Sequence, residues 1–251
     1  MTRPNIVFIM SDDHAAHSIS AYGSRVNTTP HLDRLAAEGA RMDAAYCTNS
    51  ICTPSRASIL TGTYSHINRA PSIYSEFDYR VRTFPEVLQG CGYQTALYGK
   101  WHLGRSERAL PRGFDDFRIY PDQGAYFDPV MIGPDGEETI PGYATDIVTR
   151  QSLDFLDARD PEQPFCLLAH HKAPHRPWLH HPRYEGLYEA GTIPEPETMW
   201  DEHEGRAQVV REVAMQLDDL RPTDYKEDLP AELEGDDEAS RRARSSWKYQ
   251  R

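Results

Sequence analysis

The sequence lacks the features that mark membrane, nucleic-acid-binding and disulfide-rich proteins. Its 251 residues contain no apolar run of the roughly 20 residues that a membrane-spanning helix needs. The net charge of −12 at pH 7 argues against nucleic acid or an acidic membrane surface as a partner, because both repel a negatively charged protein. The four cysteines fit neither a C-x-x-C metal site nor the framework of a small disulfide-bonded domain. We therefore expect no nucleic-acid partner and no membrane partner.

The start of the chain also shows no export signal. Residues 1–5 lead directly into the apolar segment Ile6–Met10, which is shorter than the core of a signal peptide. No small-residue cleavage site follows this segment. We therefore expect the chain as given to be cytoplasmic, and a true start further upstream would make secretion the alternative.

Composition indicates a chain with enough apolar residues for a substantial core. Hydrophobic residues make up 39% of the sequence and charged residues 26%, which is typical of folded proteins. The negative charge is concentrated in residues 195–251, which hold 16 acidic and 9 basic residues. The total charge therefore does not forbid an anionic substrate elsewhere. We expect a core with active-site loops over about 1–180 and an acidic, loop-rich segment over about 195–251.

Apolar segments alternate with helical patterns along the first two thirds of the chain. The predicted strands are Asn5–Met10, Gln94–Tyr98 and Phe165–Ala169. Predicted helices cover residues 30–38, 84–90 and 145–158, the second of them starting after a capping box at Thr83 and Glu86. Strands that alternate with helices predict an α/β fold with a largely parallel sheet.

Other parts of the chain give weaker patterns. Residues Gly104–Tyr143 are rich in glycine, proline and aromatics without clear periodicity, so we predict an irregular insertion near the site. Arg41–Tyr46 fits a short strand, and Arg206–Leu217 fits an amphipathic helix.

Polar side chains follow each of the three predicted strands. They are Asp12 and Asp13, Lys100 and His102, and His175. Because the loops at the carboxyl ends of parallel strands converge on one crevice, we expect these side chains to meet at one edge of the sheet. Four other histidines could line the pocket or simply be solvated, and we favour solvation; they are His170, His171, His180 and His181.

The segment CTPSRASILTG, which begins at Cys52, is the most informative in the chain. Thr53 is predicted to cap a short helix, with Pro54 at its first position, Arg56 at its third and Gly62 after its end. The free N–H groups and the positive dipole end of this helix favour an anion beside Cys52. By itself, a capped surface helix after a buried cysteine is the plain alternative.

This segment resembles the signature of the type I sulfatases, C-x-P-S-R followed by L-T-G. The matching positions are Cys52, Pro54, Ser55, Arg56, Leu60, Thr61 and Gly62. The resemblance implies the alkaline-phosphatase-like α/β fold of that family, and it implies that Cys52 is oxidised by a formylglycine-generating maturation enzyme. The product, 3-oxoalanine (formylglycine), is hydrated to a gem-diol in this family.

The pair Asp12 and Asp13 suits a hard divalent cation, because carboxylate oxygens are the ligands that Ca²⁺ and Mg²⁺ prefer. Taken alone, two acidic residues after a strand are more often an ordinary polar turn. The resemblance to sulfatases implies that both are ligands of a calcium ion, with residue 52 also at the metal, and that Mg²⁺ is the less expected ion.

Two further segments match the same family. GKWHLG places Lys100 and His102 two residues apart after a strand, and P-H-x-P contains His175. By resemblance, Lys100 contacts the sulfate and the formylglycine, and Arg56 helps to stabilise the sulfuryl oxygens. His102 would take a proton from the second hydroxyl of the gem-diol, and His175 would protonate the leaving oxygen. A surface lysine with a packed histidine is the alternative at Lys100 and His102.

The resemblance implies a sulfuric ester hydrolase. Residues 11–23 look most like sulfatases that act on carbohydrates, N-acetylglucosamine 6-sulfate among their substrates, and aryl sulfates or other glycan sulfates stay open. A phosphoester or phosphonate-ester hydrolase of the same superfamily is one alternative. A non-catalytic binder of a sulfated ligand is another. Family members are much longer and supply further metal ligands later, so we expect residues 1–251 to be a partial, amino-terminal catalytic domain with an incomplete metal site.

Overall fold

The computed structural model describes residues 3–188, 191–213 and 216–250, which divide into two units. The first unit contains the residues up to His14 together with Arg41–His175. The second contains Ala15–Ala40 and the residues from Arg176 onward. Among the described residues, no helix combines the length and the apolar character needed to cross a bilayer.

The first unit is built on a six-stranded sheet. The strands are β1 (Ile6–Met10), β2 (Gln94–Lys100), β3 (Asp116–Tyr120), β4 (Val130–Gly133), β5 (Gly136–Thr139) and β6 (Phe165–His170). Their order in the sheet is β1-β6-β2-β3-β4-β5. Strands β1, β6, β2 and β3 run parallel, whereas β4 and β5 are antiparallel to their neighbours. The predicted α/β fold with a largely parallel sheet is confirmed.

Helices of the first unit are α2 (Cys52–Thr61), α3 (Ser65–Asn68), α4 (Phe84–Gly90) and α5 (Ala144–Ala158). Those of the second are α1 (Pro30–Glu38), α6 (Gln208–Arg211), α7 (Pro222–Tyr225) and α8 (Glu238–Tyr249). Single turns of 3-10 helix connect several of them. Helix α1 begins after Thr29 and ends before Gly39, and α4 begins at the predicted capping box. These local signals are confirmed because each depends only on residues within one turn of the helix end.

The central strands are covered on both faces, which explains their continuous apolar sequences. Leu97 of β2 and Leu168 of β6 pack with Leu60 of α2 on one face. On the other face, Tyr98 and Leu167 pack with residues of α5 such as Val148. Successive residues of a strand point to opposite faces, so a strand buried on both sides cannot show alternation.

Three of the weaker predictions are wrong. Residues Gly104–Tyr143 contain β3, β4 and β5 rather than an irregular insertion. Strand β5 has the exposed sequence GEET and therefore no apolar pattern. The turn at Pro134 and Asp135, followed by Gly136, was nevertheless a usable signal. Arg41–Tyr46 forms bends rather than a strand. Of Arg206–Leu217, only α6 is α-helical among the described residues, and Ala214 and Met215 lie outside them.

In the second unit, helix α8 is held by charged side chains. Asp237 caps its start by accepting from the backbone N–H of Ser240. Arg244 on this helix donates two hydrogen bonds to the carboxylate of Asp218, at 2.5 and 2.8 Å. Lys248 donates to the backbone carbonyl of Asp218 at 2.6 Å. The acidic segment over about 195–251 therefore includes a twelve-residue helix with specific polar contacts.

Candidate active site

The functional candidates lie at the carboxyl ends of three neighbouring parallel strands. Asp12 and Asp13 follow β1, Lys100 is the last residue of β2, and His175 follows β6 by five residues. Strands β1, β6 and β2 are adjacent in the sheet, so their ends meet at one edge. Helix α2 begins at Cys52 and supplies the nucleophile candidate.

Asp12 is the electrostatic centre of this edge. Its side chain is 8% exposed, and one of its oxygens, Oδ2, accepts from both the Lys100 ammonium and, at 3.1 Å, the Arg56 guanidinium. Burial alone would raise the pKa of this carboxyl, but the hydrogen bond and charge of Lys100 and the charge of Arg56 lower it below the ordinary value. Asp12 is therefore a carboxylate at neutral pH, and two cations share it.

Lys100 and Arg56 bring more positive charge to this edge than Asp12 removes. The Lys100 side chain is fully buried, and that of Arg56 is 5% exposed. Arg56 also donates to the backbone carbonyl of Lys100 and lies 3.5 Å from Nδ1 of His170. Among the buried side chains at this edge, two cations face one carboxylate, which favours an anion there. The second carboxylate of the cavity, Asp13, is 62% exposed and therefore more strongly screened by solvent.

Cys52 lies against both charges of the Asp12–Lys100 pair. Its Sγ is 3.8 Å from Oδ1 of Asp12 and 3.8 Å from Nζ of Lys100. Burial, the largest influence, raises the pKa of the thiol above its ordinary value. An unmodified Cys52 is consequently a thiol at neutral pH, and a thiol is a poorer nucleophile than a thiolate.

The predicted start of the cysteine helix is wrong by two residues. Ile51 is the capping residue and Cys52 is the first helical one, so Thr53 does not cap, Pro54 is not at the first position, and Arg56 is not at the third. The Thr53 hydroxyl instead donates to the backbone carbonyl of His102 at 2.8 Å. The helix does end before Gly62, whose φ is +65°, as predicted.

His102 lies close enough to Lys100 and Arg56 for their charges to act on it. Its Nδ1 is buried without a hydrogen-bond partner, and its backbone φ is +53°. Burial, and then the charges of Lys100 and Arg56, lower the pKa of His102 to about 4. The imidazole is therefore neutral at pH 7, which is the form that can accept a proton.

His175 and Asp13 form a second pair. His175 Nε2 lies 3.7 Å from Oδ2 of Asp13, whose side chain is 62% exposed. Asp13 itself has a φ of +60°, a conformation that an aspartate tolerates better than most residues. The hydroxyl of Tyr126 donates to the backbone carbonyl of His175. This arrangement places a carboxylate 3.7 Å from an imidazole at the solvent-exposed side of the edge.

A cavity of about 200 Å³ lies between β1 and the start of α2. Its lining residues are Met10, Ser11, Asp12, Asp13, Cys47, Asn49, Ser50, Ile51, Cys52, Ser55 and Arg56. A space of this size suits a small polar group rather than a large ligand. Six of the predicted site residues line this cavity or directly contact a residue that does; they are Asp12, Asp13, Cys52, Arg56, Lys100 and His175.

The carboxylates fit a hard divalent cation only as part of a ligand set. Asp13 is exposed to the cavity, and Asp12 keeps Oδ1 without a cationic partner among its described contacts. Within the described ranges, however, no group of three or more His, Cys, Asp and Glu residues could hold a metal ion. Asp12 and Asp13 would hold the ion, and it would add positive charge beside Cys52.

Several residues at this edge were missed from the sequence. His170 is 2% exposed, so the expectation that it is solvated is wrong; it ends a fully buried strand, and that position was the available signal. Gln123 accepts from the Lys100 ammonium, and Lys172 is 4% exposed. Neither lies in a recognisable motif, so only the tertiary structure identifies them.

Comparison with known proteins gives consistent results. The family model described as Sulfatase matches residues 4–225. The N-acetylglucosamine-6-O-sulfatase of Bacteroides thetaiotaomicron is 43% identical over 227 residues, which are 89% of this chain and 40% of that protein. The N-acetylgalactosamine-6-sulfatase of Sus scrofa is 32% identical over 209 residues, which are 69% of this chain and 40% of that protein.

A solved structure resembles nearly all of this chain. BT4656 in complex with its substrate, D-glucosamine-2-N,6-O-disulfate, superposes with a TM-score of 0.87 and 37% identity, over 99% of this chain and 57% of that one. The chain spans about two fifths of the length of the curated relatives it matches. Its fold is the alkaline-phosphatase-like fold of those neighbours. Sulfatases generally depend on formylglycine and a divalent metal. The match over residues 4–225 and the 43% identity show that this chain belongs to the sulfatase family.

Proposed function

We propose that this chain supplies the nucleophile and the sulfate-binding cations of an enzyme that hydrolyses the sulfate ester of an amino sugar. The observation that supports it best is the position of Cys52, at the start of a helix and 3.8 Å from both Asp12 and Lys100. Arg56 stands beside them, buried. A nucleophile, an excess of buried positive charge and a small cavity are what attack on a sulfate group requires.

Residue 52 requires modification to do this chemistry. The hydrated aldehyde formed by oxidation of Cys52 would supply one hydroxyl to attack sulfur and a second whose deprotonation releases sulfate and restores the aldehyde. A formylglycine-generating enzyme is therefore a proposed partner. Asp12 and Asp13 are proposed as two ligands of a calcium ion, whose charge would polarise the sulfuryl oxygens.

Each remaining side chain has a proposed task. Lys100 and Arg56 would neutralise charge on the sulfuryl oxygens, and both are already desolvated, which strengthens their effect. His175, paired with Asp13, would protonate the leaving alcohol oxygen. His102 is neutral at pH 7 because of its lowered pKa, and it would accept the proton of the second hydroxyl.

A 6-sulfated glucosamine derivative is the proposed substrate. The 43% identical relative is named an N-acetylglucosamine-6-O-sulfatase, and the structure with a TM-score of 0.87 holds a glucosamine sulfated at the 2-amino and 6-hydroxyl groups. Both names specify glucosamine and its 6-position. The small cavity beside Cys52 suits the sulfate group itself rather than the whole sugar.

The test is a mass spectrum of the tryptic peptide that contains residue 52, after coexpression with a formylglycine-generating enzyme, together with sulfate release from N-acetylglucosamine 6-sulfate. We expect 3-oxoalanine at position 52 and hydrolysis that Cys52→Ala abolishes. Cys91→Ala, at an exposed cysteine outside the cavity, is the matched control and should retain activity. Activity with an unmodified thiol would contradict the mechanism. Faster hydrolysis of aryl phosphate than aryl sulfate would favour a phosphoesterase, and binding without turnover would favour a sulfated-ligand binder.

A further inference from the structure

The loop after β3 forms a hydrogen-bonded turn next to Lys100. The backbone N–H of Gly124 donates to the carbonyl of Pro121 at 3.1 Å. Asp122 and Gly124 have φ values of +52° and +69°, which favour residues such as Asp and Gly. A Cβ on Gly124 would lie 2.6 Å from Cγ of Tyr120, so the turn packs directly on that ring. Gln123 lies between these two residues, in a turn that packs against Tyr120.

The side chain of Gln123 completes the hydrogen bonds of Lys100. An ammonium group has three donors and no acceptor. In the structure the Lys100 ammonium contacts Asp12 Oδ2, Gln123 Oε1 and, at 3.8 Å, Cys52 Sγ. These three partners account for its three donors, and Lys100 is completely buried, so no water is available to replace one of them. Removal of the Gln123 oxygen would leave a buried N–H without an acceptor.

Lys172 contacts the same loop at two points, the backbone of Gln123 and the ring of Tyr126. Its ammonium donates to the backbone carbonyl of Gln123 at 3.1 Å and lies 5.1 Å from the centre of the Tyr126 ring. Tyr126 in turn donates its hydroxyl to the backbone carbonyl of His175. One short loop therefore contacts the segments that hold both Lys100 and His175.

We propose that Gln123 is a positioning residue that directs the Lys100 ammonium toward residue 52, with Lys172 fixing the backbone of Gln123. This inference rests on the proposed function of Lys100 in sulfate binding. The glutamine acts through Lys100 rather than on the substrate. Gln123 lies three residues after the end of β3 and belongs to none of the motifs found in the sequence.

Two substitutions separate the acceptor from the bulk of the side chain. Gln123→Met keeps the length but removes the oxygen, whereas Gln123→Glu keeps an acceptor. We expect Gln123→Met to lower kcat by roughly 10-fold to 100-fold with a smaller change in KM, the range for losing one hydrogen bond to a charged group. Gln123→Glu should stay within about 3-fold of the parent. Gln163→Met, at an exposed glutamine bonded only to nearby Asp160 in its described contacts, is the matched control.

A double-mutant cycle tests whether Gln123 affects activity through Lys100. In a Lys100→Ala background, Gln123→Met should produce no further loss, because the group it positions is absent. Losses that multiply in the double variant would mean that Gln123 only stabilises the loop, and would overturn the proposal. An equal fall in activity for the Met and Glu variants would overturn it as well.

Crystal structures of the parent and Gln123→Met decide the point independently of activity. We expect Nζ of Lys100 to move by more than about 0.5 Å, the tolerance of a preorganised site. An unmoved Lys100 would overturn the proposal even in an active enzyme. Conversely, a chain that hydrolyses no sulfate ester but shows the displacement would contradict the proposed function and leave the positioning role supported. Thermal unfolding of both variants reports whether either fails to fold.

Discussion

Histidines buried without full hydrogen bonding are the most informative single residues outside the ion pairs. His102 Nδ1 and His170 Nε2 both lack a partner among the described residues. Burial lowers the pKa of both, that of His102 to about 4. Neutral imidazoles beside Arg56 and Lys100 avoid adding a third positive charge to an edge that already has a cationic excess. The proposed proton acceptor, His102, is therefore uncharged beside the two cations.

This arrangement predicts a specific dependence of stability on pH. The unfolded chain binds a proton at each of these histidines below about pH 6.5, whereas folded His102 binds one only near pH 4. The free energy of unfolding should therefore fall as the pH is lowered from 6.5 toward 4, and the share of His102 is at most about 2 kcal/mol, allowing for solvent screening of this partly exposed ring. Urea denaturation at several pH values measures it.

His102→Gln should remove the contribution of His102 and make the free energy of unfolding depend less on pH. His170→Gln should do the same for the contribution of His170. His66→Gln, at an exposed histidine, should retain the parent profile. A pH dependence of stability for His102→Gln identical to that of the parent would show that folding does not lower the pKa of His102.

At the scale of elements, the site depends on how closely β2 and β6 approach. Gly99 precedes Lys100 and pairs with His170. Its φ is +103°, and a Cβ there would overlap the carbonyl oxygen of His170 and lie 3.0 Å from Val148 of α5. The glycine lets the strand turn at its end while the helix stays packed on the sheet. Lys100 is thereby placed next to His170 and Arg56.

We predict that Gly99→Ala destabilises the protein by about 2–5 kcal/mol, the sum of backbone strain and overpacking. The reason is that backbone atoms, which cannot rotate away, occupy the space of the new methyl group. Guanidinium denaturation gives the value. Gly90→Ala is the matched control, because nothing lies within 4 Å of its Cβ position and alanine favours the helix end. A loss below about 1 kcal/mol for Gly99→Ala would mean that β2 and β6 can separate without strain.

At the scale of the whole molecule, the buried charges of the candidate site are mostly positive, although the chain as a whole is negative. The chain has a net charge of −12, yet Arg56, Lys100 and Lys172 are all buried in the first unit near a single buried carboxylate. Burial reduces screening of these charges, whereas the acidic residues of 195–251 are mostly in water. The net charge therefore bears on solubility and on the rate at which the protein meets other molecules. It does not determine whether the cavity favours an anion or a cation.

We predict that inorganic sulfate raises the Tm of the chain at ionic strengths where chloride does not. Sulfate that binds the folded state alone stabilises it by about 2.7 kcal/mol at one hundred times its Kd. Differential scanning fluorimetry in sodium sulfate and in sodium chloride of equal ionic strength measures the difference. Lys100→Met should abolish the sulfate-specific part, and Lys226→Met, in the second unit, should retain it. Equal shifts in both salts would contradict a specific anion site.

The sequence by itself determined the ends of α1 and α4 and the end of α2, the alternation of strands and helices, and the strands that Asp12, Lys100 and His175 follow. These features depend on residues close together in the chain, and the CTPSR and GKWHLG segments are local as well. Only the tertiary structure decided three contacts. Lys100 and Arg56 share one oxygen of Asp12, Thr53 donates a hydrogen bond to the backbone carbonyl of His102, and Gln123 accepts one from the Lys100 ammonium. Such contacts join residues 23 to 88 positions apart in the chain. They depend on the order of the strands in the sheet, which local periodicity does not specify.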